Sequence, residues 1–125
     1  MKAVLLLSTF ALIGCASVMP AEIGPTAALG QVAQTNGLRV RPVQIIEDSR
    51  CPTDVQCVWA GRVRLLAEIE LRGGSELLKT TLTLGEPAQV ADGALTLVAV
   101  APQKTAKSGT EPGAYRFTFD FQGGL

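Results

Sequence analysis

The stretch "YRFTFDFQ", Tyr115 to Gln122, alternates an aromatic residue with a polar one for four full repeats. A period of two fits an extended chain with one face buried and the other in water. Tyr115, Phe117, Phe119 and Phe121 make up four of the six aromatic residues of the chain, and all fall on one face. That face is expected to form the core of a sheet. An exposed aromatic binding stripe is the alternative.

Working back from this strand, the same period recurs. In Arg62 to Leu71, Val63, Leu65, Ala67, Ile69 and Leu71 alternate with Arg62, Arg64, Leu66, Glu68 and Glu70, with Leu66 the one exception. Arg72-Gly73-Gly74-Ser75 then predicts a hairpin turn into Leu77 to Leu84, where Leu78, Leu82 and Leu84 oppose Lys79, Thr81 and Thr83. Ala94 to Ala101 is apolar on both faces, the pattern of a central strand covered on both sides. Toward the N-terminus, Asn36-Gly37 separates Ala27 to Gln34 from Leu38 to Ile46. An Asn-Gly pair between strand-forming runs predicts a two-residue hairpin, because both central residues of a type I′ turn need positive φ. Pro42 cannot donate to a ladder, so it is expected at an edge or a bulge.

No segment beyond residue 25 sustains a helical period. The chain reads as one all-β domain over residues 26–125, an antiparallel sandwich or small barrel of six to seven strands. "EPGAYRFTF", Glu111 to Phe119, resembles the entry into a late strand of immunoglobulin-like sandwiches, where a Tyr packs at a corner. The resemblance implies an immunoglobulin-like outline; the Cys–Trp–Cys arrangement of antibody domains is absent.

Composition excludes some functions. The 125 residues carry eleven basic and eleven acidic groups, so there is no positive surplus to neutralise phosphates, and nucleic acid is not an expected partner. There is no histidine, which removes the commonest general base and the commonest metal ligand. No nucleophile–base pair can be named, and no catalytic residue is assigned. Glu68 and Glu70 would stand about 7 Å apart on one strand face, a spacing open to a carboxylate pair but better explained by a solvated face.

The N-terminus, "MKAVLLLSTFALIGC", reads as a targeting segment. Lys2 precedes an apolar run, Ala3 to Ile13, that is too short for a membrane-spanning helix of roughly 20 residues. Leu12-Ile13-Gly14-Cys15 resembles a bacterial lipobox. The resemblance implies a signal peptide over residues 1–14, a lipidated Cys15 as the first mature residue and a membrane anchor through that lipid. Ala16 is not the Asp that resembles an inner-membrane retention signal, so the periplasmic face of the outer membrane is implied in a Gram-negative host. An ordinary signal cleaved after Ala21 is the alternative, with Met19 ill-suited to the small-residue position. Residues 15–25, with two prolines and no period after the cysteine, read as a tether.

Cys51 and Cys57 remain. In an oxidising compartment this pair is expected to close a seven-residue loop, stabilising the fold by roughly 2 kcal/mol in the chain-entropy model. The spacing is not that of a C-x-x-C redox site, and two cysteines without histidine do not make a usual zinc site. Glu47, Asp48 and Asp54 offer oxygen ligands that keep calcium open, although no known calcium-loop spacing is present; no cofactor is expected. Asp48 is expected to start the turn, and Arg50 to pair with Glu47 or Asp48. Trp59 is expected to pack on the disulfide or the sheet, and Gly61 to supply an unusual backbone conformation. Asp48, Arg50 and Asp54 are thus the loop's exposed chemistry, with Trp59 as its anchor.

The whole stretch "EDSRCPTDVQCVWAG", Glu47 to Gly61, resembles the signature of a family of small uncharacterised bacterial envelope proteins, many with lipoprotein signals. Their segment has the form E-D-S-R-C-P-x-x-V-x-C-x-W-x-G and links two β strands. The resemblance implies a lipid-anchored, non-catalytic envelope module with an unknown protein or glycan partner. A small inhibitor presenting the Cys51–Cys57 loop to a protease through Arg50, or a calcium-stabilised module, are the alternatives.

Overall fold

The computed structural model describes Gly14 and residues 24–71, 74–106 and 109–123. The signal-like stretch, the lipobox cysteine Cys15 and most of the tether lie outside the described residues. Among those described there is no α-helix, and eight strands form two four-stranded antiparallel sheets. One sheet has the order β2 (Ala33–Thr35), β3 (Leu38–Asp48), β4 (Val63–Leu71), β5 (Glu76–Thr83). The other has the order β1 (Thr26–Ala27), β8 (Arg116–Gln122), β7 (Gly93–Ala101), β6 (Ala88–Val90). The sheets do not close on each other, so the fold is a sandwich and not a barrel. Its meandering strand order matches immunoglobulin-like proteins only in having two packed sheets.

The core is the alternation made physical. Phe117, Phe119 and Phe121 of β8, with Tyr115 just before it, face Val40 of β3 and Leu65, Ala67 and Ile69 of β4 in one buried cluster. Each fully buried Phe or Leu stabilises the fold by about 1.5–3 kcal/mol relative to exposure. The aromatic stripe of β8 is therefore core. The Asn36-Gly37 hairpin forms as the residue types require, with φ of 47° and 83° and Thr35 paired to Leu38. β4 pairs with β5 from Leu71↔Glu76 onward, so the second hairpin also forms, though Arg72 and Gly73 of its turn lie outside the described residues. Pro42 sits at a bulge in β3, where the register with β4 shifts between Pro42 and Gln44.

Two readings change, and the expected six to seven strands are eight. The single first strand over Ala27 to Gln34 is two strands in different sheets: β1 pairs with β8, and after a turn the chain crosses to pair β2 with β3. Gly30, at φ 81°, allows that turn and donates its N–H to the Pro42 carbonyl at 2.7 Å. The three-residue β6 is too short to show a period. The double apolar face of β7 arises from a bulge, not from two covered faces. Leu95 and Leu97 are buried, the register against β8 shifts between Leu97 and Ala99, and Val98 is left exposed while Val100 turns partly inward.

The sandwich has two distinct poles. At one, the Asn36 side chain donates to the Phe121 carbonyl at 2.6 Å, and the Gly24 carbonyl accepts the Gln34 N–H at 2.8 Å. At the other, β3 ends at Asp48 and β8 begins beside Tyr115, whose hydroxyl donates to Asp48 at 2.7 Å. Because β3 carries two bulges, the span is read on β4: from Glu70, opposite Arg39, to Val63, opposite Asp48, is seven residues, roughly 23 Å of strand. Gly24 and the cysteine loop therefore lie at opposite ends.

Candidate functional site: the cystine loop

Residues 49–62 connect β3 to β4 at the second pole. The Cys51–Cys57 disulfide is formed, with the Cα atoms 5.8 Å apart. It is one of several ties. At the neck, the Ser49 N–H donates to the Arg62 carbonyl at 2.9 Å, and the Arg62 N–H donates to Ser49 Oγ at 3.0 Å. Arg62 also pairs with Glu47 across the strands. Gly61 presses against this junction. A Cβ built there would stand 1.5 Å from the Ser49 carbonyl oxygen, which no side chain can tolerate. Gly61 is therefore required by close backbone approach, not by an unusual φ.

Beneath the neck lies a charged cluster. Asp48 and Arg50 form a bidentate pair: Nε donates to Oδ1 and Nη2 to Oδ2, each at 2.9 Å. Arg50 Nη1 donates to the carbonyls of Val100 at 3.1 Å and Pro102 at 3.0 Å. Tyr115 donates to Asp48 Oδ2, and Lys104 Nζ donates to the Asp48 carbonyl at 2.8 Å. One carboxylate and one guanidinium thereby join the end of β3 to the end of β7 and the start of β8, across the two sheets. The Asp48 side chain is 9% exposed and that of Arg50 15%. The Arg50 hydrogen bonds, outweighing burial, hold the Asp48 carboxyl down at about 2; burial and then the bond to Asp48 push the Tyr115 phenol up. The same bonds push the Arg50 guanidinium up.

These placements correct the sequence reading. Asp48 and Arg50 are not exposed chemistry: they turn inward and are consumed by the fold. Arg50 pairs with Asp48, as one of the two expectations had it, and four of its five N–H donors are engaged within the fold. Asp54 is exposed, and its carboxylate accepts the Ala106 N–H at 2.8 Å, while the Thr53 N–H donates to the Lys104 carbonyl at 2.9 Å. Glu47, Asp48 and Asp54 are thus each engaged separately, and among the described residues no three His, Cys, Asp or Glu side chains gather as a cation site. Glu68 and Glu70 are also engaged, with Arg41 and Lys79 and with Arg39 respectively.

The largest correction concerns Trp59. It packs on neither the disulfide nor the sheet: it is 82% exposed, Val58 beside it is 90% exposed and Val55 44%. A run of seven residues, Val55 to Gly61, carries no charge and holds these three apolar side chains in water. Segment 102–106, which supplies carbonyls and an N–H to the loop, is a part of the site that sequence reasoning missed. Its contacts lie about fifty positions away along the chain, and no local pattern announces them. Comparison with family models, with curated proteins and with solved structures gives no match for this chain.

Proposed function

We propose that this chain is a lipid-anchored, non-catalytic binding module of the bacterial cell envelope, held to the membrane by Cys15 and recognising an envelope partner with the cystine loop. It is placed at the periplasmic face of the outer membrane where the host has one. The likeness of residues 47–61 to the envelope-protein signature and of residues 12–15 to a lipobox supports the placement. The observation that carries the binding role is the contrast within the loop: a neck pinned by a buried ion pair and paired backbone, and a tip that leaves Val58 and Trp59 in water. Isolated exposed apolar residues are ordinary; adjacent ones on a constrained loop cost solubility and mark a contact surface.

The test uses the full chain in its host. Wild type is expected to incorporate labelled palmitate and to sediment with membranes, and Cys15→Ser to do neither. Unlabelled wild type, or a Cys15→Ser protein that still sediments after alkaline wash, contradicts the anchor. For the binding role, cross-linked complexes recovered with wild type should be lost in Val58→Ser plus Trp59→Ser and retained in Leu77→Ser, which alters an exposed apolar residue on β5. Equal recovery from all three contradicts it.

A further inference from the structure

We infer that the occupant of the loop tip is an apolar pocket on another envelope protein, lying on the side of the domain away from the membrane that anchors it. The inference rests on the reading of the chain as an anchored binding module. Three features of the tip select this occupant.

The first is shape. Val58 and Trp59 project from the end of a loop that is exposed from Thr53 to Arg62, so the surface is a knob and not a groove. A knob carrying Trp fits a concave, desolvated pocket, the environment in which aromatic anchors dominate binding. The second is charge. No residue from Val55 to Gly61 is ionised, and around the neck Glu47, Asp48 and Asp54 balance Arg50, Lys104 and Arg62. A site for anionic lipid needs a basic surplus, and there is none among the described residues. A glycan site needs polar side chains arranged to hydrogen-bond hydroxyl groups around the aromatic ring, and the tip offers only Gln56.

The third feature is where the chain leaves the domain. Gly24 lies at the pole opposite the loop, roughly 23 Å from the neck along β4. Residues 15–23 span at most about 30 Å when fully extended. A domain standing on this tether presents the loop outward, and laying the loop back on the anchoring membrane would use up most of the tether in near-straight extension. The outward pole meets proteins fixed elsewhere in the envelope.

A photoreactive residue at Gln56, within the tip but outside its apolar pair, tests this in intact cells expressing the full chain. The expected product is a discrete protein adduct whose cross-linked peptide maps to an apolar cavity of the partner. That adduct should fall about tenfold or more with Trp59→Ser, the loss a central aromatic anchor produces, and should be absent with the photoreactive residue at Leu77. The purified adduct partner, added to the purified chain, should shift the emission of Trp59, the only tryptophan, to the blue. Vesicles of zwitterionic and anionic phospholipid, and isolated peptidoglycan, should leave it unmoved. Adducts with lipid or glycan alone, a blue shift with vesicles or peptidoglycan, or an adduct indifferent to Trp59→Ser overturns the inference. Lipid or glycan adducts that still need Trp59 leave the binding-module reading standing, whereas no adduct at all ends both.

Discussion

The neck and the tip of the cystine loop are a few residues apart and obey opposite rules. At the neck, the charged groups are bound into the fold. Asp48, Arg50, Tyr115 and Lys104 satisfy one another and the carbonyls of Val100 and Pro102, in a setting with little solvent. At the tip, Val58 and Trp59 are committed to nothing within the described fold. The difference teaches where stability and recognition reside. Charged residues, which look like chemistry in a sequence, serve here as structure. Apolar residues, which look like structure, are what the loop presents.

This contrast can be broken from either side. The largest effect is expected at the neck. Arg50→Ala leaves the Asp48 carboxylate nearly buried without its cation and strips two carbonyls of their donor, which costs about 3–5 kcal/mol in denaturant unfolding. A loss below about 1 kcal/mol would mean that the cluster is solvated and the neck is held by its backbone alone.

Acid should act on the same cluster. Asp48 titrates at about 2 in the folded chain against an ordinary 3.8, so its contribution is complete above pH 4 and is lost as pH falls from 4 toward 2. The shift corresponds to about 2 kcal/mol, read as a fall in the unfolding midpoint over that interval. Asp48→Asn should be less stable at neutral pH and show a flatter acid limb. An unchanged slope in that variant would assign the acid sensitivity to other carboxylates.

Replacing the disulfide should cost no more. Cys51→Ser with Cys57→Ser is expected to lose about 2 kcal/mol, the closure entropy of a short loop, and still to unfold in one transition. The paired neck survives without it, so the greater change should be local: hydrogen exchange should rise within residues 52–60 and stay unchanged in β3 and β4. Protection lost along β3 would make the disulfide the principal clamp instead. The smallest effect belongs to the tip. Trp59→Ala should change stability by no more than about 0.5 kcal/mol, as substitutions on open surface do.

The sequence carried the fold where structure is local or periodic. Asn36-Gly37 names its own turn, and the alternation of β4 and β8 names the two inner faces. Ala27 to Gln34 and Ala94 to Ala101 misled because a crossing between sheets and a bulge reset the period within an apparently continuous run. The loop was legible in its disulfide and not in its polar residues. The partners of Arg50 stand at Val100 and Pro102, and Asp48 reaches to Tyr115, so only the tertiary fold turns these side chains inward. Trp59 misled for a related reason. A lone tryptophan beside a cystine reads as a packing residue, and only its exposure in the fold shows otherwise.

Because Trp59 is the only tryptophan, its fluorescence reads the tip directly. The native protein should emit at nearly the wavelength of the chain unfolded in denaturant, and acrylamide should quench it to a similar degree in both. A native emission shifted well to the blue and shielded from acrylamide would place Trp59 inside the fold and contradict the division between neck and tip.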